Sequence, residues 1–492
     1  MIDMHLPILL IVVPLVSAPL CVLLRQKTLV WAFASLVCVA SLGLASMLLM
    51  RVLEEGVISY AIGGWIAPWG IEYRVDTINA FVLLLVSIIA AVLMFFALPS
   101  VTDEISSKQH YLFYTAYLLC LTGLMGITIT GDAFNVFVFL EISSLSSYTL
   151  IAMGRDRRAL TASYQYLIMG TLGATFIVIG IGLMYMMTGT LNMFDLSQRL
   201  PAMFETRTAM VAFAFLTVGM LIKLAMFPMH MWLPNAYCYA PSLITAFLAA
   251  TATKVSIYVF LRFTFTVWGA DFVFEKLNLD AFLIPLSLIG IYVASLSAIY
   301  QTNIKRLLAY SSVAQIGYMM LGIGFVSVTG LTGGIVHLFN HALMKAALFL
   351  AVGGAVLRLG SSDLADWKGL GRRMPVTMAA FVLAGLSLIG VPLTVGFISK
   401  WYLILAALEA GWWPVALLAL LSSLLAVVYV WRVVEVAYFQ KADDDANVKE
   451  APLMMQISMW ILTGATVYFG IQTDLTVNVA QRAAELLIGV TP

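Results

Sequence analysis

The sequence predicts an all-α integral membrane protein of about fourteen transmembrane helices. Three observations predict it. Hydrophobic residues make up 62% of the chain and charged residues only 10%, against about 25% charged in soluble domains. Apolar runs of about 20 residues, the length that crosses a hydrocarbon core of about 30 Å, recur from end to end. Seven ionisable side chains, Glu141, Lys223, Lys254, His337, His341, Lys345 and Lys400, lie deep inside those runs. Each charge there costs roughly 2.5–3.5 kcal/mol on insertion scales. A chain that had only to stay in the membrane would carry none of them.

The spans fall near 6–24, 29–50, 78–98, 111–130, 133–153, 162–187, 209–226, 243–265, 281–301, 306–326, 331–357, 375–408, 413–438 and 453–471. The first has no basic flank before it and leads straight into more spans, so it is not read as a cleaved signal. Residues 57–76 alternate loosely around Gly63-Gly64 and predict a small hairpin between the second and third spans. In the seventh span Pro228 and Pro234 lack the backbone N–H and break the helix after Lys223, leaving a short second piece at 229–238. The twelfth span is interrupted in the same way at Pro392 and Gly396. The acidic run Asp443-Asp444-Asp445 follows the thirteenth span and reads as a solvated loop.

Basic residues orient the chain. Loops after odd-numbered spans, together with Arg432, hold fifteen Lys and Arg, and the other side holds seven. The positive-inside rule then places the odd-numbered loops in the cytoplasm and both termini outside. A weak internal repeat lays 140–154 over 308–322, so that Ser143-Ser144 coincides with Ser311-Ser312. These two spans differ by an odd number, so the repeats run in opposite directions. Paired Pro-interrupted spans in two inverted halves point to a secondary-transporter architecture.

Composition also excludes functions. Net charge is +1, which gives no basic footprint for nucleic acid. Cys21, Cys38, Cys120 and Cys238 are scattered without CxxC spacing, so neither a metal site nor a disulfide framework is expected.

The buried charges read as a path for protons or cations. Glu141 shares a helical face with Ser144 and Tyr148 at i+3 and i+7, and that face must point into the bundle because lipid offers no hydrogen bonds. Its competing reading is a structural glutamate that fixes a helix contact. Lys223 sits just before a break whose freed carbonyls need partners. Lys254 has Thr251 and Tyr258 on its face. A buried lysine whose carboxylate partner approaches or withdraws is a proton switch; the competing reading is snorkelling to the interface. His337, His341 and Lys345 form one stripe at i, i+4 and i+8. Histidine titrates near neutral pH and suits a relay. A zinc site would need further ligands, and no Cys or HExxH lies here. Lys400 is the second-half counterpart of Lys223, at a different offset. His230 is expected to cap the broken seventh helix.

Together FLEISSLSSY, the Lys followed by FPMHMWLPNAYCYAPS, ATATKVSIYVFLRF, KRLLAYSSVAQIGYMMLG, HLFNHALMKAALF and GVPLTVGFISKW resemble the antiporter-like subunits shared by respiratory complex I, membrane-bound hydrogenases and the multi-subunit Mrp cation/proton antiporters. The resemblance covers essentially the whole chain. It implies fourteen helices with two inverted five-helix repeats and broken helices 7 and 12. The chain then divides into 1–110 (helices 1–3 and the hairpin), 111–265 (first repeat), 281–440 (second repeat) and 441–492. The wording of WIAPWGIEYRVDTINAFVLLLVS and GDAFNVFVFLEISSLSSYTLIA looks most like the D-type member of the Mrp antiporters.

What this implies is a proton pathway. Glu141–Lys223 is the switch, Lys254 the central link, His337/His341/Lys345 the bridge and Lys400 the exit-side group. The transporter would exchange Na+ or a similar monovalent cation for protons in a bacterial or archaeal plasma membrane. It would act with the A-, B-, C-, E-, F- and G-type Mrp subunits and as a transporter rather than an enzyme. A proton-pumping subunit of a redox complex is the alternative, and a membrane scaffold the third reading. No reading requires this chain to bind a redox cofactor. No compact carboxylate cluster inside the spans marks a Na+ route.

Overall fold

Backbone N–H and C=O groups in lipid must be satisfied within their own segment, and the chain is nearly all helix. A computed structural model describes residues 5–442 and 448–489. Asp443-Asp444-Asp445 lies outside the described residues. The helices are α1 (Leu6–Leu24), α2 (Lys27–Glu55), α3 (Thr77–Glu104), α4 (His110–Ile129), α5 (Ala133–Ala152), α6 (Arg158–Thr188), α7 (Met193–Arg199), α8 (Arg207–Lys223) and α9 (Trp232–Tyr239). They continue as α10 (Ser242–Ala250), α11 (Ala252–Leu261), α12 (Asp280–Ile299), α13 (Ile304–Gly324), α14 (Val328–Leu359), α15 (Leu370–Arg373) and α16 (Pro375–Ile389). The last are α17 (Val395–Glu409), α18 (Trp413–Phe439), α19 (Leu453–Ile471) and α20 (Asp474–Ile488).

Twelve helical stretches among the described residues are long and apolar enough to cross a membrane. The seventh and twelfth predicted spans differ from these, because each is built from two shorter helices. The first pair is α8 and α9, joined by 224–231 with Ala225 at φ 59°. Pro234 does not break it. It sits in the first turn of α9, where a missing N–H is tolerated. The second pair is α16 and α17, separated by a segment with Gly390 at φ 94° and Leu393 at φ 70°. Gly396 lies inside the first turn of α17, where a Cβ would collide with the Ser387 carbonyl oxygen. Its role is to let the two pieces approach closely.

The eighth predicted span is also discontinuous, which the sequence reading missed. α10 ends at Ala250, Thr251 leaves helical geometry at φ −122° and ψ −58°, and α11 resumes at Ala252. The Thr251 hydroxyl donates back to the Phe247 carbonyl at 2.7 Å. Such a bond competes with the helix ladder and bends it. α11 then runs into a π-helical turn at Arg262–Val267.

α14 is the axis of the molecule. It is buried on every face from Gly330 to Ala355 and packs against α3, α10, α13, α16, α17, α19 and α20. By contrast α2, α6 and α18 expose Leu36, Leu172 and Leu424 on one side, as lipid-facing helices do. The expected hairpin is present: β1 (Ile58–Ala61) pairs antiparallel with β2 (Glu72–Val75), with Ile58 opposite Val75. Asn192 Nδ2 donates to Glu72 Oε2 at 2.9 Å and pins it over the helix ends. α20 was not expected. It buries Val479, Ala480, Ala483 and Ala484 and packs on α14 and α3.

Candidate functional site

Each break leaves backbone carbonyls without their helical donors, and those carbonyls organise the site. At the end of α8 the Ile222 carbonyl accepts from Trp232 Nε1 at 3.1 Å. The next residue, Lys223, is thereby left free for side chains. Its Nζ donates to Ser144 Oγ at 2.9 Å and lies 3.7 Å from Glu141 Oε1. The two charges differ in environment: the Lys223 side chain is 5% exposed and that of Glu141 28%. Both Glu141 and Ser144 come from α5, one turn apart as the sequence spacing requires. Tyr148, the third residue of that face, packs edge-on against Tyr166 with ring centroids 4.7 Å apart.

Lys254 is wholly buried one turn beyond the Thr251 break. Its Nζ donates to the Ala249 carbonyl at 2.5 Å and to Thr253 Oγ1 at 3.3 Å. Thr251 and Tyr258, expected beside it, bond elsewhere, Tyr258 donating to the Thr128 carbonyl at 2.9 Å. The Lys254 ammonium lies against the end of α10, the helix that packs on α14. No hydrogen bond or ion pair joins it to Lys223 among the described residues.

The α14 stripe is buried throughout. The rings of His337 and His341 lie parallel with centroids 6.0 Å apart. His337 Nε2 is 2.9 Å from Gln315 Oε1 and Nδ1 is 2.8 Å from Ser399 Oγ. Among the described residues neither nitrogen of His341 has a hydrogen-bond partner. Lys345 donates to the Leu308 carbonyl at 2.8 Å and to Ser311 Oγ. At the second break Lys400 itself reaches the freed carbonyls, Ile389 at 2.7 Å and Leu388 at 3.3 Å. It also donates to Ser423 Oγ at 3.1 Å and sits 5.1 Å from the centre of the Tyr318 ring.

The matching family model is described as NADH:quinone oxidoreductase/Mrp antiporter, TM, and spans residues 130–426. The chain belongs to this family. It is 40% identical to the N-type subunit of NADH-quinone oxidoreductase from Desulforudis audaxviator over 91% of this chain and 89% of that protein. It is 30% identical to the D-type subunit of the Na(+)/H(+) antiporter from Alkalihalophilus pseudofirmus over 99% and 98%. A chain of the Mrp complex from Dietzia sp. DQ12-45-1b superposes with a TM-score of 0.91 at 26% identity, covering 100% of this chain and 98% of that one.

In this antiporter-family fold, the seven residues singled out from the sequence occupy two groups. Glu141 and Lys223 form one; Lys254, the α14 stripe and Lys400 form the other. The helix that serves the second group is α13, which sequence reasoning used as a repeat marker and a family motif but not as a source of site residues. Ser311 holds Lys345, Gln315 holds His337, and Tyr318 underlies Lys400. Their i, i+4 and i+7 spacing inside an apolar span was the available signal. One serine of each repeated pair, Ser144 and Ser311, takes a hydrogen bond from a buried lysine.

His230 departs from expectation. Its side chain makes no cap on α9. Instead the ring stacks on Phe227 at 5.4 Å and approaches Tyr310 at 6.3 Å. Among the described residues no three His, Cys, Asp or Glu side chains converge on a metal site. Both nitrogens of His337 are already engaged.

Proposed function

We propose that this chain is the D-type subunit of a multi-subunit Na+/H+ antiporter, and that it carries protons across the membrane. The observation that carries the reading is the coincidence of buried lysines with helix breaks. Lys223, Lys254 and Lys400 each sit at one, bonded to neutral serine or threonine oxygens and, in two cases, to freed carbonyls. Such neutral acceptors hold an ammonium yet leave it able to give up a proton, which a tight carboxylate pair would not. The proton path runs from Glu141–Lys223 through Lys254 and the His337–His341–Lys345 stripe to Lys400. Glu141, Lys223 and Lys254 fall in the repeat 111–265, and the α14 stripe and Lys400 in 281–440. The hairpin end faces outward, in keeping with the bias of basic residues to the opposite loops. End-to-end coverage of a D-type antiporter subunit supports the assignment, and the other six Mrp-type subunits are the expected partners.

A second reading has its own observation: the 40% identity to an N-type subunit of NADH-quinone oxidoreductase. The same track would then be driven by electron transfer elsewhere in a complex. One experiment separates them. Vesicles carrying the whole complex should move protons on addition of Na+ without any electron donor, and vesicles lacking this chain should not. Proton movement that needs a reductant and ignores Na+ would establish the redox reading.

A further inference from the structure

The stripe that holds Lys254 continues past Tyr258 toward the hairpin end, where Arg262 and Asp76 were not singled out as site residues. Lys254 and Tyr258 on α11 and Arg262, which opens the π-helical turn that continues it, stand at i, i+4 and i+8, along one side of the helix. Arg262 Nε donates to the Tyr258 hydroxyl at 3.2 Å, and Tyr258 donates in turn to the Thr128 carbonyl. The other guanidinium nitrogens grip Asp76 bidentately, Nη1 to Oδ2 at 2.8 Å and Nη2 to Oδ1 at 2.9 Å. The side chains are only 10% and 16% exposed. Asp76 and Arg262 both line a cavity of about 620 Å³ at the hairpin end, with Arg74, Thr130 and Asp271.

A simple pin between α3 and α11 would explain the pair but not its position. It stands between the hairpin-end cavity, which Arg262 lines, and Tyr258, which Arg262 bonds, and the helix changes to π geometry at Arg262 itself, a feature common at functional sites. Arginine keeps its proton at any working pH. A fixed cation across a narrow path is an electrostatic barrier to protons and cations. Asp76 offsets that charge while also capping α3, accepting from the Asn79 N–H at 3.3 Å.

We propose that Asp76–Arg262 is the outer gate of the proton track. Arg262 bars protons from the Tyr258–Lys254 stripe, and Asp76 sets the height of the barrier by neutralising it. The inference rests on the proton-track reading above. It assigns two positioning residues whose removal acts in opposite senses.

The test uses the whole complex in proteoliposomes, with passive proton flux read by a pH-sensitive dye in the absence of Na+. Arg262→Met should raise the passive flux by about tenfold, since the barrier charge is gone. Asp76→Asn keeps the helix cap but strands the cation, so passive flux should stay at or below the parent level and Na+-driven exchange should slow. A structural pin predicts a leak of the same sign from both. Flux changed alike by the two variants, or by neither, overturns the gate. If the Met variant does not assemble, Arg262→Lys decides: retained charge should keep the flux at the parent level, and a raised flux overturns the proposal. Loss of Na+-driven exchange in the parent complex would refute the antiporter reading instead, leaving the passive-flux comparison readable.

Discussion

The two broken helices close their breaks by different means. Where α8 ends, a neutral indole takes the exposed carbonyl of Ile222, and Lys223 is released to meet Glu141 and Ser144. Where α16 ends, Lys400 takes the carbonyls of Leu388 and Ile389 itself. No carboxylate pairs with it among the described residues, and the Tyr318 ring and Ser423 complete its surroundings. The same element, a lysine beside an interrupted helix, is thus charge-coupled in one half and carbonyl-held in the other. The first lysine responds to what happens at Glu141, and Glu141 reaches the surface of the chain. The second responds to the geometry of its own break.

The largest effect should come from removing the charge coupling. Glu141→Ala should cut Na+-driven exchange by about a hundredfold, the low end of what a group handling a proton contributes, in a complex that still assembles. Glu141→Asp, with a shorter reach to Lys223, should keep part of the activity. Normal exchange by an assembled Glu141→Ala complex would erase the distinction between the two halves.

Lys400 tests the other side of the comparison, with an effect slightly smaller because the neutral surroundings remain intact. Both Lys400→Ala and Lys400→Arg should slow turnover severely, by somewhat less than the Glu141→Ala loss, the second because arginine does not release its proton. An arginine that exchanged at nearly the parent rate would show Lys400 to be a fixed cation that closes a break and nothing more.

If the α14 stripe links the two halves as proposed, changes there should slow rather than stop transport. Gln315→Leu removes the partner of His337 Nε2 and should reduce the rate several-fold and move its pH optimum. His341→Ala should do the same. Chelators should have no effect on either the parent or the variants. Activity lost to a chelator and restored by Zn2+ would replace the relay with a metal site.

The buried charges and two of the breaks were legible because each violates the chemistry of an apolar helix: a charge that lipid cannot solvate, a proline without an N–H. The break at Thr251 violates nothing of that kind. It comes from a threonine hydroxyl bonding back to Phe247 and from Lys254 taking the Ala249 carbonyl, and both choices depend on the folded neighbourhood. The partners on α13 were visible as residues but not as partners, since which helix faces α14 is decided by packing across the repeats. α20 escaped because an alanine-rich amphipathic segment lacks the continuous apolar run that marks a span. The Asp76–Arg262 pair joins residues 186 apart, beyond the reach of any local spacing rule.

The smallest effect concerns what sets the first half apart. If Trp232 is what frees Lys223, then Trp232→Phe should begin to convert the first break into the likeness of the second. Phenylalanine keeps a ring to lie on Tyr166, which now stacks with centroids 4.0 Å apart, and removes only the indole N–H. The Ile222 carbonyl then keeps only backbone donation, from the Ala225 N–H at 3.2 Å, and the lost hydrogen bond is worth about 0.5–1.5 kcal/mol. The ammonium of Lys223, one residue on, is placed to recover that cost. Drawn to the carbonyl, it would move away from Glu141 and Ser144. The expected outcome is a small loss of thermal stability of the complex in detergent and a modest slowing of exchange. Unchanged stability with full exchange would show that the indole bond does not govern Lys223. The contrast between the halves would then rest on Glu141 alone.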